Sequence, residues 1–441
     1  MAKDTDISVR NLIIYSIYVR NHTEEGTFKA VIPDFDRIKA LGTDVIWLLP
    51  IHPIGVKGKK GSLGCPYANR DYRTVNPCYG TMEDFRELVD AIHEHGMRCI
   101  IDVVYNHTSP DSVLAAEHPE FFYRKSDGSF GNRCGEWSDV IDLDYGTEEA
   151  PNTALWDYQI ESLKQWAAIV DGFRCDVASC VPAPFWKMAR AEVSEINPDC
   201  LWLAETVHST FNHRCRAGWR GAWSDGEMFE AFDIEYEYDI REAFDRYIAG
   251  RLPLSCWTYS LNLQETAYPD NYSKLRYLEN HDMPRAKAVF PDEKAFKNAT
   301  AMLYFLKGTV LLYAGQEFEC EHTPSLFEKE TFPRNTGRDI SGYLARLGAV
   351  RKNILSADDY FSASADDENN IAVMIRDNGR GRKIGIFSLS GKAADVSLVY
   401  PNLEPYDVPD GEYIDEISGG KVRISGNILP CNGEPVIFVL P

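Results

Sequence analysis

The chain has 441 residues, a formal charge of −21 and a pI near 4.9. So acidic a surface repels phosphate backbones and anionic lipid, which argues against nucleic acid and membrane surfaces as partners and leaves neutral ligands compatible. With 44% apolar and 12% aromatic residues the chain can bury a large core, and its length implies two or three domains.

Strand-like and helix-like segments alternate along most of the chain. Residues 12–18 read as a first strand, Phe35, Ile38 and Leu41 mark a short helix, and residues 45–49 form a near-continuous apolar strand. Phe85, Leu88, Val89 and Ile92 recur at helical spacing. Thr81 and Asp84 stand in capping-box spacing before them, and Gly96 fits the C′ position after them. A strand follows at 99–104. The pattern then breaks over 108–150, a stretch rich in Asp, Gly, Ser and aromatic residues. It resumes with a helix through Ile160, Leu163 and Ala167, a strand at 170–173, a helix near 184–196 and a strand at 201–205. Three further strands are expected near 229–234, at 274–278 and at 309–313. Such alternation implies a parallel sheet, although periodicity alone does not separate a closed barrel from an open doubly wound sheet. From about residue 356, short runs such as 371–375 and 383–387 lie between Asp, Asn, Gly and Pro clusters, the signature of an antiparallel β domain.

Four segments carry most of the chemical meaning: 102–107 (DVVYNH), 172–176 (GFRCD), 203–205 (LAE) and 280–282 (NHD). Each places a carboxylate or histidine at or near the end of a short apolar run. A core has no use for so many carboxylates, because burying an unpaired charge costs several kcal/mol. Polar residues ending the parallel strands of a barrel converge on one point. Carboxylates facing each other across a cleft point to glycoside chemistry.

The same segments resemble the α-amylase superfamily, glycoside hydrolase family 13. The resemblance extends to 42–50 (GTDVIWLLP), 79–81 (YGT), 142–144 (DLD) and 313–317 (YAGQE), and the matches run in family order from about residue 11 to about residue 355. It implies a (β/α)8 TIM barrel over 1–107 and 151–355, a short inserted domain B at 108–150 and a C-terminal antiparallel β-sandwich at 356–441. It also implies a retaining α-glucan hydrolase acting on α-1,4-linked malto-oligosaccharides or starch fragments. A transferase, isomerase or cyclodextrin- or pullulan-acting relative would use the same residues. A non-enzymatic relative would typically lose a carboxylate, and all three stand here.

On this resemblance Asp176 is the nucleophile, Glu205 the general acid and base, and Asp282 the carboxylate that binds sugar hydroxyls in the transition state. Arg174 lies two residues before Asp176, on the same side of a strand, where a guanidinium would orient the carboxylate and lower its pKa. Glu205 needs a raised pKa to act as an acid. His107 and His281 would donate hydrogen bonds to the sugar, and Tyr67 matches the tyrosine that stacks on it. Asn106 matches an asparagine that often binds structural calcium, but the short insertion supplies no further recognisable ligands. The expectation is therefore a hydrogen-bonding Asn106, with no metal needed for the chemistry. Many relatives carry Lys-His three and four residues after the nucleophile; this chain has Ser179 and Cys180.

No run of about 18 apolar residues predicts a membrane span, and the N-terminus shows no basic, then apolar, leader pattern. The eleven scattered cysteines contain no Cys-x-x-Cys pair and read as reduced thiols of a cytoplasmic protein. A mature secreted chain would carry the same N-terminus. The expected partner is an α-glucan oligosaccharide, and no motif encodes the oligomeric state.

Overall fold

The computed structural model describes residues 4–135, 137–218, 222–398 and 408–440. Eight strands form a closed barrel: β1 (Ile13–Ile17), β2 (Val45–Leu48), β3 (Arg98–Val103), β4 (Gly172–Cys175), β5 (Leu201–Ala204), β6 (Ile234–Tyr236), β7 (Lys274–Arg276) and β8 (Thr309–Tyr313). They follow each other around it in chain order. The pairings from β1 to β6, and that of β7 with β8, are parallel. Two compact units divide the chain. One takes in 14–236 with 1–5 and 323–333, the other 6–13, 237–322 and 334–441.

In the first unit the helix Met82–Glu94 opens on the expected capping box, Thr81 and Asp84 each receiving the other's backbone N–H. Gly96 adopts φ 64° just past its end, a conformation that glycine alone adopts cheaply. β4 starts two residues later than the sequence implies. Asp171 is drawn into a turn, its carboxylate accepting the Cys99 N–H at 2.6 Å and lying 2.8 Å from His93 Nε2. Gly172 then permits close approach of β5, since a Cβ there would sit 2.3 Å from the Leu201 carbonyl oxygen. β6 also starts later than expected. Phe229 and Phe232 are buried but lie outside it, and Phe232 packs edge-on against Trp186 and Trp202. Between β3 and the helix Thr153–Ala167, His107–Thr108 pairs antiparallel with Ile141–Asp142.

In the second unit, β9 (Tyr360–Asp366), β10 (Ile371–Asp377), β11 (Arg382–Ser388) and the strand Val436–Leu440 form an antiparallel sheet in that order. One face, with Val373, Ile386 and Phe438, packs against Val396, Leu398 and Leu429 from a second layer of short strands. The other face meets the helices: Phe387 packs on Phe305, and Asn262 exchanges two hydrogen bonds with the Ala363 backbone, each 2.8 Å. Both faces are covered, so β10 reads as a continuous apolar run rather than an alternating one. Buried Asp359 pairs with Arg376 at 3.2 Å and Lys383 at 2.7 Å beneath this sheet.

No helix of the described residues is long and apolar enough to cross a membrane. The eleven cysteines form no disulfide among the described residues.

Candidate active site

Strand register sets the centre of the site. Asp102 of β3 lies opposite Arg174 of β4, and Cys175 lies opposite Ala204 of β5. Asp176 and Glu205, each one residue past its strand, therefore stand side by side. Their backbone N–H groups continue the ladder, to the Val103 and Cys175 carbonyls at 2.9 and 3.0 Å.

Arg174 is fully buried and ties three carboxylates together. Its Nη1 lies 2.7 Å from Asp176 Oδ1 and 3.0 Å from Asp102 Oδ1, and its Nη2 lies 3.0 Å from Glu205 Oε2. The rings of Trp47, Tyr67 and Tyr236 surround the guanidinium at 5.1 to 5.7 Å, within cation–π range. Burial works against its charge, but Asp102 and Glu205 outweigh this and hold it protonated. Asp176 and Glu205 also share a side-chain hydrogen bond.

Arg174 does pull the pKa of Asp176 down, as its position implies, but the net shift is upward. Burial pushes the carboxyl up to about 6 from 3.8; the pull of Arg174 is smaller, and the neighbouring Asp102 adds to the rise. A second unexpected feature adjoins it. Val177 is left-handed at φ 44°, a genuine outlier for a β-branched residue. That turn aims its N–H at Glu205 Oε2, 2.9 Å away. One oxygen of Glu205 thus accepts from both Val177 and Arg174.

Tyr67 is half-buried and donates its hydroxyl to Asp102 Oδ2 at 3.0 Å. His107 is buried, which lowers its pKa, and it hydrogen-bonds the Tyr67 carbonyl. Its Nδ1 lies 3.1 Å from Asn106 Nδ2, and its ring packs 5.3 Å from that of Trp137. Among the described residues no group of three or more His, Cys, Asp or Glu side chains is placed to hold a metal ion. Ser179 is buried, and Cys180 shares a side-chain hydrogen bond with Cys215.

In the second unit, Asn280, His281 and Asp282 follow β7. The Asn280 side chain accepts the Asp282 N–H at 2.9 Å, and His281 Nε2 lies 3.0 Å from Asp282 Oδ2. Glu279 anchors this turn through Arg285 and the Ala286 N–H, both at 2.6 Å. His281 is buried while Asp282 is exposed.

Sequence reasoning assigned no role to Asp102, Trp47, Tyr236 or Trp137. For Asp102 a signal was present, since it begins one of the four segments. The aromatic residues carry no local signature.

The family model for the alpha amylase catalytic domain matches residues 12–127 and 137–380, and that for the bacterial alpha amylase C-terminal domain matches 362–438. The chain belongs to the alpha-amylase family. A solved alpha-amylase from Lactobacillus plantarum superposes with a TM-score of 0.91 at 39% identity, covering 99% of this chain and all of that one. The noncanonic maltogenic alpha-amylase AmyB of Thermotoga neapolitana gives 0.86 at 30% identity, covering 98% and 99%. Among curated relatives, the alpha-amylase MalA of Haloarcula japonica is 29% identical over 69% of this chain and 44% of its own length. The α-1,4-glucan:maltose-1-phosphate maltosyltransferase of Pseudomonas aeruginosa is 34% identical over 43% of this chain and 32% of its own. The chain thus spans less than half the length of these two curated relatives. The alpha-amylase family is a family of enzymes acting on glucans, which makes the carboxylates around Arg174 the place to look for the chemistry.

Proposed function

We propose that this family member hydrolyses α-1,4-glucosidic bonds of malto-oligosaccharides with retention of configuration. The observation that carries the reading is the Arg174 clamp, which holds Asp176 and Glu205 as hydrogen-bonded neighbours. Retaining pairs stand roughly 5–5.5 Å apart, whereas inverting pairs leave room for a water at about 6.5–9.5 Å. Direct contact supports the closer class.

In this mechanism Glu205 protonates the glycosidic oxygen while ionised Asp176 attacks the anomeric carbon. The leaving sugar departs and a covalent glucosyl–enzyme forms. Glu205, now a base, takes a proton from water, which displaces Asp176 and releases an α-configured product. Arg174 keeps both carboxylates aimed. Tyr67, His107 and His281 bind the sugar, and Asp282, placed after β7, grips its hydroxyls in the transition state. Product NMR on maltoheptaose should show the α anomer first, and Glu205→Gln should lower kcat by several orders of magnitude. A β anomer, or near-normal turnover by Glu205→Gln, would sink the mechanism.

Transfer to a second sugar is the other reading. It is supported by the likeness to maltosyltransferases and by Ser179 and Cys180 in place of Lys-His. Longer products from concentrated maltotriose would favour it, and hydrolysis products alone would not.

A further inference from the structure

Three segments of the first unit meet beside His107. Loop 55–64 follows β2, and segment 137–142 pairs with His107–Thr108 just past β3. Because β2 to β5 are parallel, both lie at the barrel end that carries Asp176 and Glu205. The two segments touch at two points. Lys60 Nζ lies 2.9 Å from Asp139 Oδ1. A Cβ added at Gly58 would stand in van der Waals contact with the Ser138 carbonyl oxygen, 3.8 Å away. Asp139 is only 3% exposed, and a carboxylate so buried is tolerated when a cation meets it.

Segment 323–333 backs loop 55–64 from behind. The Leu63 N–H donates to the Phe327 carbonyl at 3.1 Å, and the Ser62 N–H to Glu328 Oε1 at 2.8 Å. Buried Arg20 donates to the Gly64 and Leu326 carbonyls at 3.2 and 3.3 Å. The result is a braced wall next to the sugar position. Trp137, two residues before Asp139, packs on the His107 ring, and Asp142, three residues after, lies opposite His107 in register. Besides burial, the charges of Asp139 and Lys60 bear on His107. Those of Asp139, Lys60 and Asp176 bear on Cys65, two residues before Tyr67.

In the mechanism above, His107 and Tyr67 hold the sugar whose C1 is attacked by Asp176. The leaving group departs from C1 beside Glu205. O4 lies across the ring from C1, so chain continuing from O4 leads away from the carboxylates and toward the wall. We propose that the Lys60–Asp139 bridge closes the cleft on that side, so that glucans enter by their non-reducing ends and are not cut deep within the chain. The inference rests on the reading of Asp176 and Glu205 as glucan-cleaving residues. Lys60 and Asp139 touch no reacting atom; they are positioning residues that set which stretch of glucan fits. A fixed wall discriminates by penalising the wrong substrate.

The test compares three substrates: p-nitrophenyl maltoheptaoside, the same compound blocked by a benzylidene acetal on the terminal O4 and O6, and β-cyclodextrin, which has no ends. The wild type should cleave the open substrate at least twentyfold faster than the blocked one and leave cyclodextrin intact. Lys60→Ala combined with Asp139→Asn opens the bridge without stranding a buried charge. It should narrow the gap to less than fivefold by gaining on the blocked substrate. Equal wild-type rates on open and blocked substrates, or cleavage of cyclodextrin, would overturn the proposal while leaving the catalytic reading intact. So would an unchanged gap in a double variant still active on the open substrate. Should the double variant not fold, Lys60→Gln, which keeps a donor for Asp139 but not the charge, must narrow the gap at least twofold, and an unchanged gap counts against the bridge. A wild type inactive on all three substrates would overturn both readings.

Discussion

Asp176→Asn should make the protein more stable at neutral pH while abolishing turnover. Asp176 is held at a pKa of about 6 in the fold, against 3.8 when unfolded. The native state therefore binds the extra proton between pH 4 and 6, and wild-type stability falls as pH rises through that window. The difference is about 2 pKa units, and at 1.36 kcal/mol per unit the ionised carboxylate costs the native state up to about 3 kcal/mol above pH 6. Asparagine removes the charge and keeps an oxygen where Arg174 Nη1 now donates at 2.7 Å. Its amide can donate to Glu205, and Arg174 retains Asp102 and Glu205 as counter-ions. For a chain of this length, about 1 °C per kcal/mol gives a rise in melting temperature of up to roughly 3 °C at pH 8. The gain should shrink through pH 6 and vanish near pH 3.5. Melting both proteins by differential scanning fluorimetry between pH 3.5 and 8 checks this. A variant less stable at every pH, or a gain that ignores pH, would refute the account of Asp176 as a carboxylate strained by burial.

The acid limb of kcat/KM should fall near pH 6, activity rising as Asp176 ionises. Because Asp102 contributes to the raised pKa, Asp102→Asn should move that limb to lower pH, and an upward move would contradict the assignment. Asp359→Ala would leave buried Arg376 and Lys383 without the carboxylate that pairs with both, and should destabilise by about 3–5 kcal/mol in urea melts. Asp359→Asn should cost less, and equal losses would deny the role of charge. Dialysis against EDTA should change the melting temperature by less than about 2 °C, since a metal bound only to the native state contributes about 2.7 kcal/mol at a hundredfold excess over Kd. A larger drop, reversed by Ca²⁺, would restore Asn106 as a calcium ligand.

Barrel strands with apolar runs were legible in the sequence because parallel strands are buried on both faces. β7 was harder: Lys274 and Arg276 are buried in it, and Arg276 is paired with Glu237 at 2.9 Å. Such pairing joins residues nearly forty positions apart and leaves no local pattern. The start of β6 was missed because Phe229 and Phe232 are as apolar as strand residues yet pack beside the strand. At the site, Asp176 and Glu205 were legible as strand-end carboxylates. The ring cage around Arg174 was not, since Trp47, Tyr67 and Tyr236 come from three separate elements. The sign of the Asp176 shift was misjudged for a related reason. Sequence displays the neighbouring charge at Arg174, while burial and the proximity of Asp102 exist only in three dimensions.

The turn at Val177 has a consequence for how such an enzyme can diversify. The segment after Asp176 is pinned at three successive backbone points: Val177 N–H to the Glu205 carboxylate, Ala178 N–H to the Glu205 carbonyl at 3.0 Å, and the Ser179 carbonyl to Trp223 N–H. None of these pins uses a side chain of residues 177–180. The pins therefore hold the backbone that aims the two carboxylates whichever side chains residues 177–180 carry. Substrate preference can then drift across generations while bond-breaking geometry stays put.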